Sequence, residues 1–229
     1  MFPPDLAGTC FRHEFHASEL IPAAWLRAHP SSRFSVYNPT IVRFRGRLLM
    51  AYRVDSGNQG LMQRRIGLCT LDDQLNVVPD SVIPLSDTIQ GSGLLHYDPR
   101  FLVYHDQLFV HFNNNFLTRP NQIHMVELDP DTLEAKSPAR LLHLDGQRQE
   151  IEKNWLLFEH DGDLLAVYQI APHTILRIDL TGQGAVECRP IHVTDWDVVL
   201  YAGRFGAPRG GGGSSDRPSQ CHSTLMASQ

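Results

Sequence analysis

Three short polar motifs in this chain contain residue types that acid–base and binding sites use: Asn38-Pro39, Asp98-Pro99-Arg100 and Lys153-Asn154-Trp155. Asp98 is the strongest candidate for acid–base chemistry, because a carboxyl group in a partly buried site can donate or accept a proton. Arg100 beside it has two open roles. It can clamp a substrate oxygen, or it can favour the ionised form of Asp98 and make that residue a poorer proton donor.

Cationic residues recur close to these motifs and form a candidate anion site. Arginine offers planar, two-pronged contacts to phosphate, and lysine offers a point charge. The alternative for each cation alone is a surface salt bridge, and for the histidine a hydrogen-bonded turn. The candidate residues are Arg53, Arg100, Lys153, His173 and Arg209.

Each polar motif is followed by the same sequence of elements: an apolar strand, a charged turn, a second apolar strand and a third strand-like segment. The spacing is 60 residues from Asn38 to Asp98 and 56 residues from Asp98 to Asn154. A repeat of this length with short strands is typical of the blades of a β-propeller. The predicted strands are 40–44, 48–53 and 65–72, then 101–104, 108–113 and 123–129, then 156–159, 164–169 and 173–179.

In a propeller the innermost strand of every blade begins at the central channel, so equivalent positions in successive blades converge. Asn38, Asp98 and Lys153-Asn154 occupy such positions but differ in charge and hydrogen-bonding type. Residues that only served packing would be expected to stay similar. The alternative is that these residues simply begin strands and cap turns, as Asn-Pro and Asp-Pro often do.

The chain divides into three predicted regions. Residues 1–36 form an N-terminal segment with one helix at 17–28, in which Pro22 falls in the first turn. Residues 37–206 form an incomplete propeller of about three and a half blades, the last beginning near Asp195. Residues 207–229 are rich in Gly and Ser and are predicted to be disordered. An open blade array has an exposed edge that tends to pair with another chain, which favours a homo-oligomer.

The composition of the chain argues against nucleic acid and membranes as its partners. The 229 residues carry a formal charge of −5, so no basic excess indicates nucleic acid or an anionic membrane surface. The four cysteines lie far apart without metal-ligand spacing, which favours reduced thiols in a cytoplasmic protein. Neither a signal peptide nor an apolar run of about 18 residues is found.

The order of five motifs resembles the five-bladed β-propellers of glycoside hydrolase family 130, the β-mannoside phosphorylases and their relatives. The resemblance covers residues 35–211. The motifs are Tyr37-Asn38-Pro39 with Ala51-Tyr52-Arg53, Tyr97-Asp98-Pro99-Arg100, Glu152-Lys153-Asn154-Trp155, Tyr168 to His173, and Arg209-Gly210-Gly211.

This resemblance implies inverting cleavage of a β-mannosidic bond, with Asp98 as the proton donor acting through a sugar hydroxyl. It implies phosphate or oxyanion binding by the five cations named above, and sugar binding by Asn38, Arg53, Arg100 and Asn154. Inorganic phosphate would be the co-substrate in place of a second carboxylate. No metal or organic cofactor is expected.

No second carboxylate stands out in the sequence. Asp55, Glu150 and Glu152 are the nearest to the motifs, and their pattern is that of solvated surface charge. We therefore expect an oligosaccharide or a sugar phosphate as the ligand. The expected activity is phosphorolysis or hydrolysis of β-mannosides. The alternatives are a glycosyltransferase on the same scaffold and a non-catalytic carbohydrate-binding or interaction propeller.

Overall fold

A computed structural model describes residues 13–57, 63–93, 95–114, 121–146 and 148–195. Strands account for most of these residues, and each of the helices is shorter than a membrane span requires. The elements are α1 (Ala17–Leu20), α2 (Ala23–Ala28), β1 (Arg33–Phe44), β2 (Arg47–Gly57), β3 (Gln63–Leu71), α3 (Leu85–Thr88), β4 (His96–Tyr104), β5 (Gln107–Asn114), β6 (Gln122–Leu128), β7 (Arg140–Leu144), β8 (Leu156–His160), β9 (Asp163–Ile170), β10 (His173–Asp179) and β11 (Val186–Thr194).

The strands form three consecutive blades. Blade one is β1-β2-β3, blade two is β4-β5-β6-β7, and blade three is β8-β9-β10-β11, all with antiparallel neighbours. The outer strands β7 and β11 pair in parallel and join the last two blades into one eight-stranded sheet. The first strands of successive blades contact each other, β1 with β4 and β4 with β8. The predicted all-β propeller fold is therefore confirmed, and β7 and β11 are strands that the repeat did not predict.

Each blade begins with a tight hairpin. The turn residues have left-handed backbone: φ is 46° and 78° in Arg45-Gly46, 48° and 57° in His105-Asp106, and 51° and 80° in Asp161-Gly162. Two-residue turns of this hand match the twist of the paired strands. We call this end of the blades the turn end.

The second strand of blade two is covered on both faces, which explains why four of the five residues from 108 to 112 are apolar. Successive side chains point to opposite faces of a strand. Val110 and Phe112 belong to a buried cluster shared with blade one, whereas Phe109 belongs to a cluster shared with blade three that includes Trp155. Packing between blades thus fixes their relative positions.

The helix predicted over 17–28 is divided in two. α1 ends at Leu20, Ile21 is extended with ψ 118°, and Pro22 becomes the N-cap of α2 instead of a residue within one helix. Packing compensates for the break, because the Tyr52 hydroxyl donates to the Leu20 carbonyl at 2.6 Å. The two short helices lie against blade one in this way.

Candidate functional site

The leading residues of the three blades share an uncommon backbone conformation. Asn38, Asp98 and Asn154 have φ values of 47°, 54° and 59°. Asn and Asp tolerate this left-handed region better than other residues with a side chain. In β1 and β4 the same residues lie in a break of strand register, where the chain bulges and a side chain is re-aimed. We call this end of the blades the motif end.

Two of these residues meet directly. The Asn38 Nδ2 group donates to Asp98 Oδ1 at 2.6 Å, across the boundary between blades one and two. Arg53 Nη1 lies 3.3 Å from the same oxygen. Both contacts fall on Oδ1, on one side of the carboxyl group. Asn38 and Asp98, two of the leading residues predicted to converge, therefore meet in the structure, and Arg53 joins them.

Arg53 is fixed more firmly than an ordinary surface cation. Its guanidinium makes a two-pronged contact with Asp55, with 2.6 Å between Nε and Oδ1, and its carbon centre lies 5.4 Å and 5.8 Å from the rings of Tyr37 and Tyr97. Burial alone lowers the pKa of Arg53, but its contacts with Asp55 and Asp98 outweigh this and raise the pKa above its ordinary value. Arg53 therefore stays cationic in the site.

The prediction that Asp55 is a solvated surface charge is wrong. Its side chain is only 11% exposed, and it is bound by Arg53, with Arg64 Nε 3.9 Å away. The sequence signal was available: Asp55 follows Arg53 by two residues, so both project from the same face of β2.

Arg100 contacts the leading residue of blade three. Its Nη2 group lies 3.5 Å from Asn154 Oδ1, at the boundary between blades two and three. Of the two roles left open for Arg100, this geometry favours contact with a ligand over an ion pair with Asp98. A small cleft opens at this boundary, lined by Asp98, Arg100, His111, Phe112, Asn113, Ile123, Asn154 and Trp155.

His111 is a cleft residue that no sequence motif indicated. It lies opposite Arg100 in the β4–β5 register and is only 4% exposed. Burial, with a smaller effect of the Arg100 charge, lowers the pKa of His111 to about 3. The imidazole is therefore neutral at physiological pH.

The other predicted anion ligands are less central. Lys153 is exposed, and His173 begins β10 opposite Ile170 and Thr194; neither is among the described residues that line the cleft. Arg209 and the fourth unit predicted from Asp195 lie outside the described residues, apart from Asp195 itself.

Glu152 is also buried, contrary to the prediction that it is a surface charge. It has no exposed area, and its carboxylate accepts hydrogen bonds from Trp155 Nε1 at 3.0 Å, the Gln149 N–H at 3.1 Å and the Tyr168 hydroxyl at 3.2 Å. Arg148 Nε lies 3.3 Å away.

The backbone of Glu152 is held as firmly as its carboxylate. The Asn121 amide bonds to both its N–H (2.7 Å) and its carbonyl (2.6 Å). This network fixes the segment that presents Asn154 and Trp155 to the cleft.

Neither a protein-family model nor a curated protein matches the sequence of this chain. Solved structures do match in three dimensions. A thermostable family-43 glycoside hydrolase is 17% identical with a TM-score of 0.47, and the match covers 67% of this chain and 53% of that chain. An α-L-arabinofuranosidase from Lactobacillus brevis is 12% identical with a TM-score of 0.48, covering 67% and 54%.

An α-L-arabinofuranosidase from Clostridium thermocellum is 13% identical with a TM-score of 0.45, covering 73% of this chain and 57% of that chain. The chain thus spans about half the length of these structures. At TM-scores below 0.5 the fold assignment depends on the strand order and repeated blades of the chain itself. These structures do not select family 130.

Proposed function

We propose that this protein is a carbohydrate-active propeller that cleaves glycosidic bonds at its motif end, with Asp98 as the proton donor. More specifically, we propose inverting phosphorolysis of β-mannosides. The observation that carries the proposal is the contact of both Asn38 and Arg53 with one oxygen of Asp98, between blades one and two. This arrangement fixes the carboxyl group through Oδ1, and in the proposed reaction Oδ2 carries the proton.

The proposed reaction needs few groups. An oxygen of inorganic phosphate attacks C1 of the sugar, the bond from C1 to the glycosidic oxygen breaks, and Asp98 transfers a proton to the leaving oxygen, directly or through a sugar hydroxyl. The proton carried by the phosphate is then released and restores Asp98. Attack from the face opposite the leaving group converts a β-glycoside into an α-sugar 1-phosphate.

The choice of phosphate over water rests on the carboxylates of the site. An inverting hydrolase needs a second carboxylate to activate water. Asp55 shares Arg53 with Asp98 and is a described candidate, but its two-pronged contact with Arg53 occupies it. Arg100, which lines the cleft and lies 3.5 Å from Asn154, supports binding of a phosphate anion. The preference for β-mannosides comes from the motif resemblance to family 130.

The test is an assay of β-1,4-mannobiose with and without inorganic phosphate. We expect α-mannose 1-phosphate and mannose in equal amounts when phosphate is present, and no cleavage when it is absent. Free mannose at the same rate without phosphate would contradict phosphorolysis and leave hydrolysis. Transfer of mannose from α-mannose 1-phosphate to an acceptor sugar, with no cleavage of β-1,4-mannobiose by phosphate, would favour the glycosyltransferase.

A non-catalytic sugar-binding propeller is the second candidate, and one contact favours it. Asp98 lies 3.3 Å from Arg53 as its ion-pair partner, a structural role that needs no catalysis. If this candidate is correct, the protein binds mannobiose by calorimetry but releases no product with or without phosphate. Asp98→Asn would then retain binding and have no turnover to lose.

A further inference from the structure

The three blades provide an internal comparison for His111. The second strands β2, β5 and β9 align so that Ala51, His111 and Val167 occupy equivalent positions, three residues after the first leucine of each strand. In all three blades this residue pairs with the one two positions after the leading Asn or Asp, which is Arg100 in blade two. Two blades fill the position with an apolar side chain, and only blade two places a histidine there.

Packing alone does not explain this histidine. His111 is buried nearly as completely as Ala51, and burying a polar imidazole costs free energy that alanine or valine avoids. The same face of β5 carries Phe109 and Asn113, so the histidine lies where an apolar layer gives way to the polar cleft. A polar residue at the wall of a cleft, where the other two blades have an apolar one, indicates a ligand contact.

The chemical form of His111 restricts what that ligand group is. The charged groups that line the same cleft are Arg100, which disfavours a second positive charge, and Asp98. A neutral imidazole offers one N–H donor and one acceptor nitrogen. A hydroxyl group also donates and accepts, whereas a phosphate dianion accepts mainly through its three unprotonated oxygens and is better matched by the donors of Arg100.

We propose that His111 binds a hydroxyl group of the sugar at the base of the cleft between blades two and three. This inference rests on the proposed function for the identity of the sugar, but not for catalysis by Asp98. His111 thereby recognises the sugar, and Arg100 on the neighbouring strand binds the anion.

The test replaces His111 with the residue type that blade three has at this position. Binding of β-1,4-mannobiose and of inorganic phosphate is measured separately by calorimetry, in the Asp98→Asn background so that no turnover interferes. His111→Val should weaken mannobiose binding about tenfold, the loss expected for one hydrogen bond. Phosphate binding should be unchanged. The melting temperature should be unchanged or higher.

His124→Val is the matched control. His124 is another buried histidine of blade two, with a pKa that burial lowers to about 4, but it packs beside Phe112 on the side of blade one. We expect it to leave mannobiose binding unchanged. If His111 were merely structural, His111→Val would instead bind mannobiose as well as the protein that keeps the histidine, and its melting temperature would be lower.

The outcomes separate this inference from the proposed function. Binding that depends on His111 in a protein whose wild type does not turn over would support the inference and contradict the proposed catalysis. Turnover with an unchanged KM and unchanged mannobiose affinity in His111→Val would support the catalysis and overturn the inference. Loss of phosphate binding instead of sugar binding, or no mannobiose binding in any variant, would also overturn it.

Discussion

The motif end and the turn end of the blades are built alike but differ in burial. Both ends carry left-handed residues in every blade, and at both ends polar side chains connect one blade to the next. At the turn end Arg45 binds Asp106 at 2.8 Å, but the two side chains are 48% and 75% exposed. At the motif end Arg53 and Asp98, 3.3 Å apart, are 15% and 28% exposed.

This difference in exposure changes what an ion pair can do. A solvated pair contributes little to stability, because water screens it and the side chains lose conformational freedom. A partly buried pair holds its groups in one geometry and makes each dependent on the other. The repeated left-handed backbone is thus structural at the turn end, and at the motif end it positions charged groups that can act on a ligand.

The largest expected effect is a loss of stability in acid caused by buried histidines near the motif end. Burial lowers the pKa of His96 and His124 to about 4 and that of His111, with help from Arg100, to about 3. Since the unfolded chain titrates near 6.5, it binds more protons than the fold between these values. The contribution of these neutral histidines to the free energy of unfolding is therefore fully present above about pH 6.5. It falls as the pH drops toward 4, by about 1.4 kcal/mol per pH unit for each extra proton that the unfolded chain binds.

Denaturant unfolding at pH 7.5, 6, 5 and 4.5 measures this slope. His124→Phe should flatten it, whereas replacing the exposed turn-end histidine, His160→Gln, should leave it unchanged. A free energy of unfolding that stays constant from pH 7 to 4.5 would contradict the burial of these histidines, and with it the difference in burial between the motif end and the turn end.

Removing the buried carboxylate of Glu152 should cause the next largest loss of stability. Glu152→Leu leaves Trp155 Nε1, the Tyr168 hydroxyl and the charge of Arg148 without their acceptor, and we expect a loss of about 4 kcal/mol in the free energy of unfolding. Glu152→Gln keeps part of the network and should lose less. The turn-end control Glu159→Leu removes an exposed carboxylate from the same blade and should change little.

Replacing Arg53 at the motif end should lower the free energy of unfolding by less than Glu152→Leu does, and replacing Arg45 at the turn end should hardly change it. Arg53→Met leaves the buried Asp55 without its main partner and should cost about 3 kcal/mol, less if Arg64 takes over. Arg45→Met, which removes the exposed pair with Asp106, should leave the denaturation midpoint within error. Equal losses for the two variants would contradict the distinction between the ends.

The strands and the convergence of the leading residues could be predicted from the sequence, because both depend on local patterns that repeat. Short apolar runs between charged turns predict hairpins, and the 60-residue spacing brings Asn38 and Asp98 to equivalent positions, where they touch. The break at Pro22 was missed because the contact between Tyr52 and Leu20 that supports it is a tertiary one.

Burial could not be predicted for isolated charged residues. Glu152 was interpreted as surface charge because the partners that offset its burial include Asn121 and Tyr168, far along the chain. Asp55 is different, since its partner Arg53 lies only two residues before it. His111 was embedded in a run of apolar residues and carried no motif. Alignment of the three blades on their leucines places it at the position equivalent to Ala51 and Val167, and the strand register confirms that it departs from the repeat.

The proposed reaction requires Asp98 itself, and not merely an aspartate with this backbone. Asp161 is the matched control: it also has left-handed backbone, with φ 51° against 54° for Asp98, but it lies exposed at the turn end. The measurement is the rate of α-mannose 1-phosphate formation from β-1,4-mannobiose and phosphate. Asp98→Asn should lower it at least about a hundredfold, with the melting temperature preserved, while Asp161→Asn keeps the wild-type rate. Similar rates for the two variants would contradict the account.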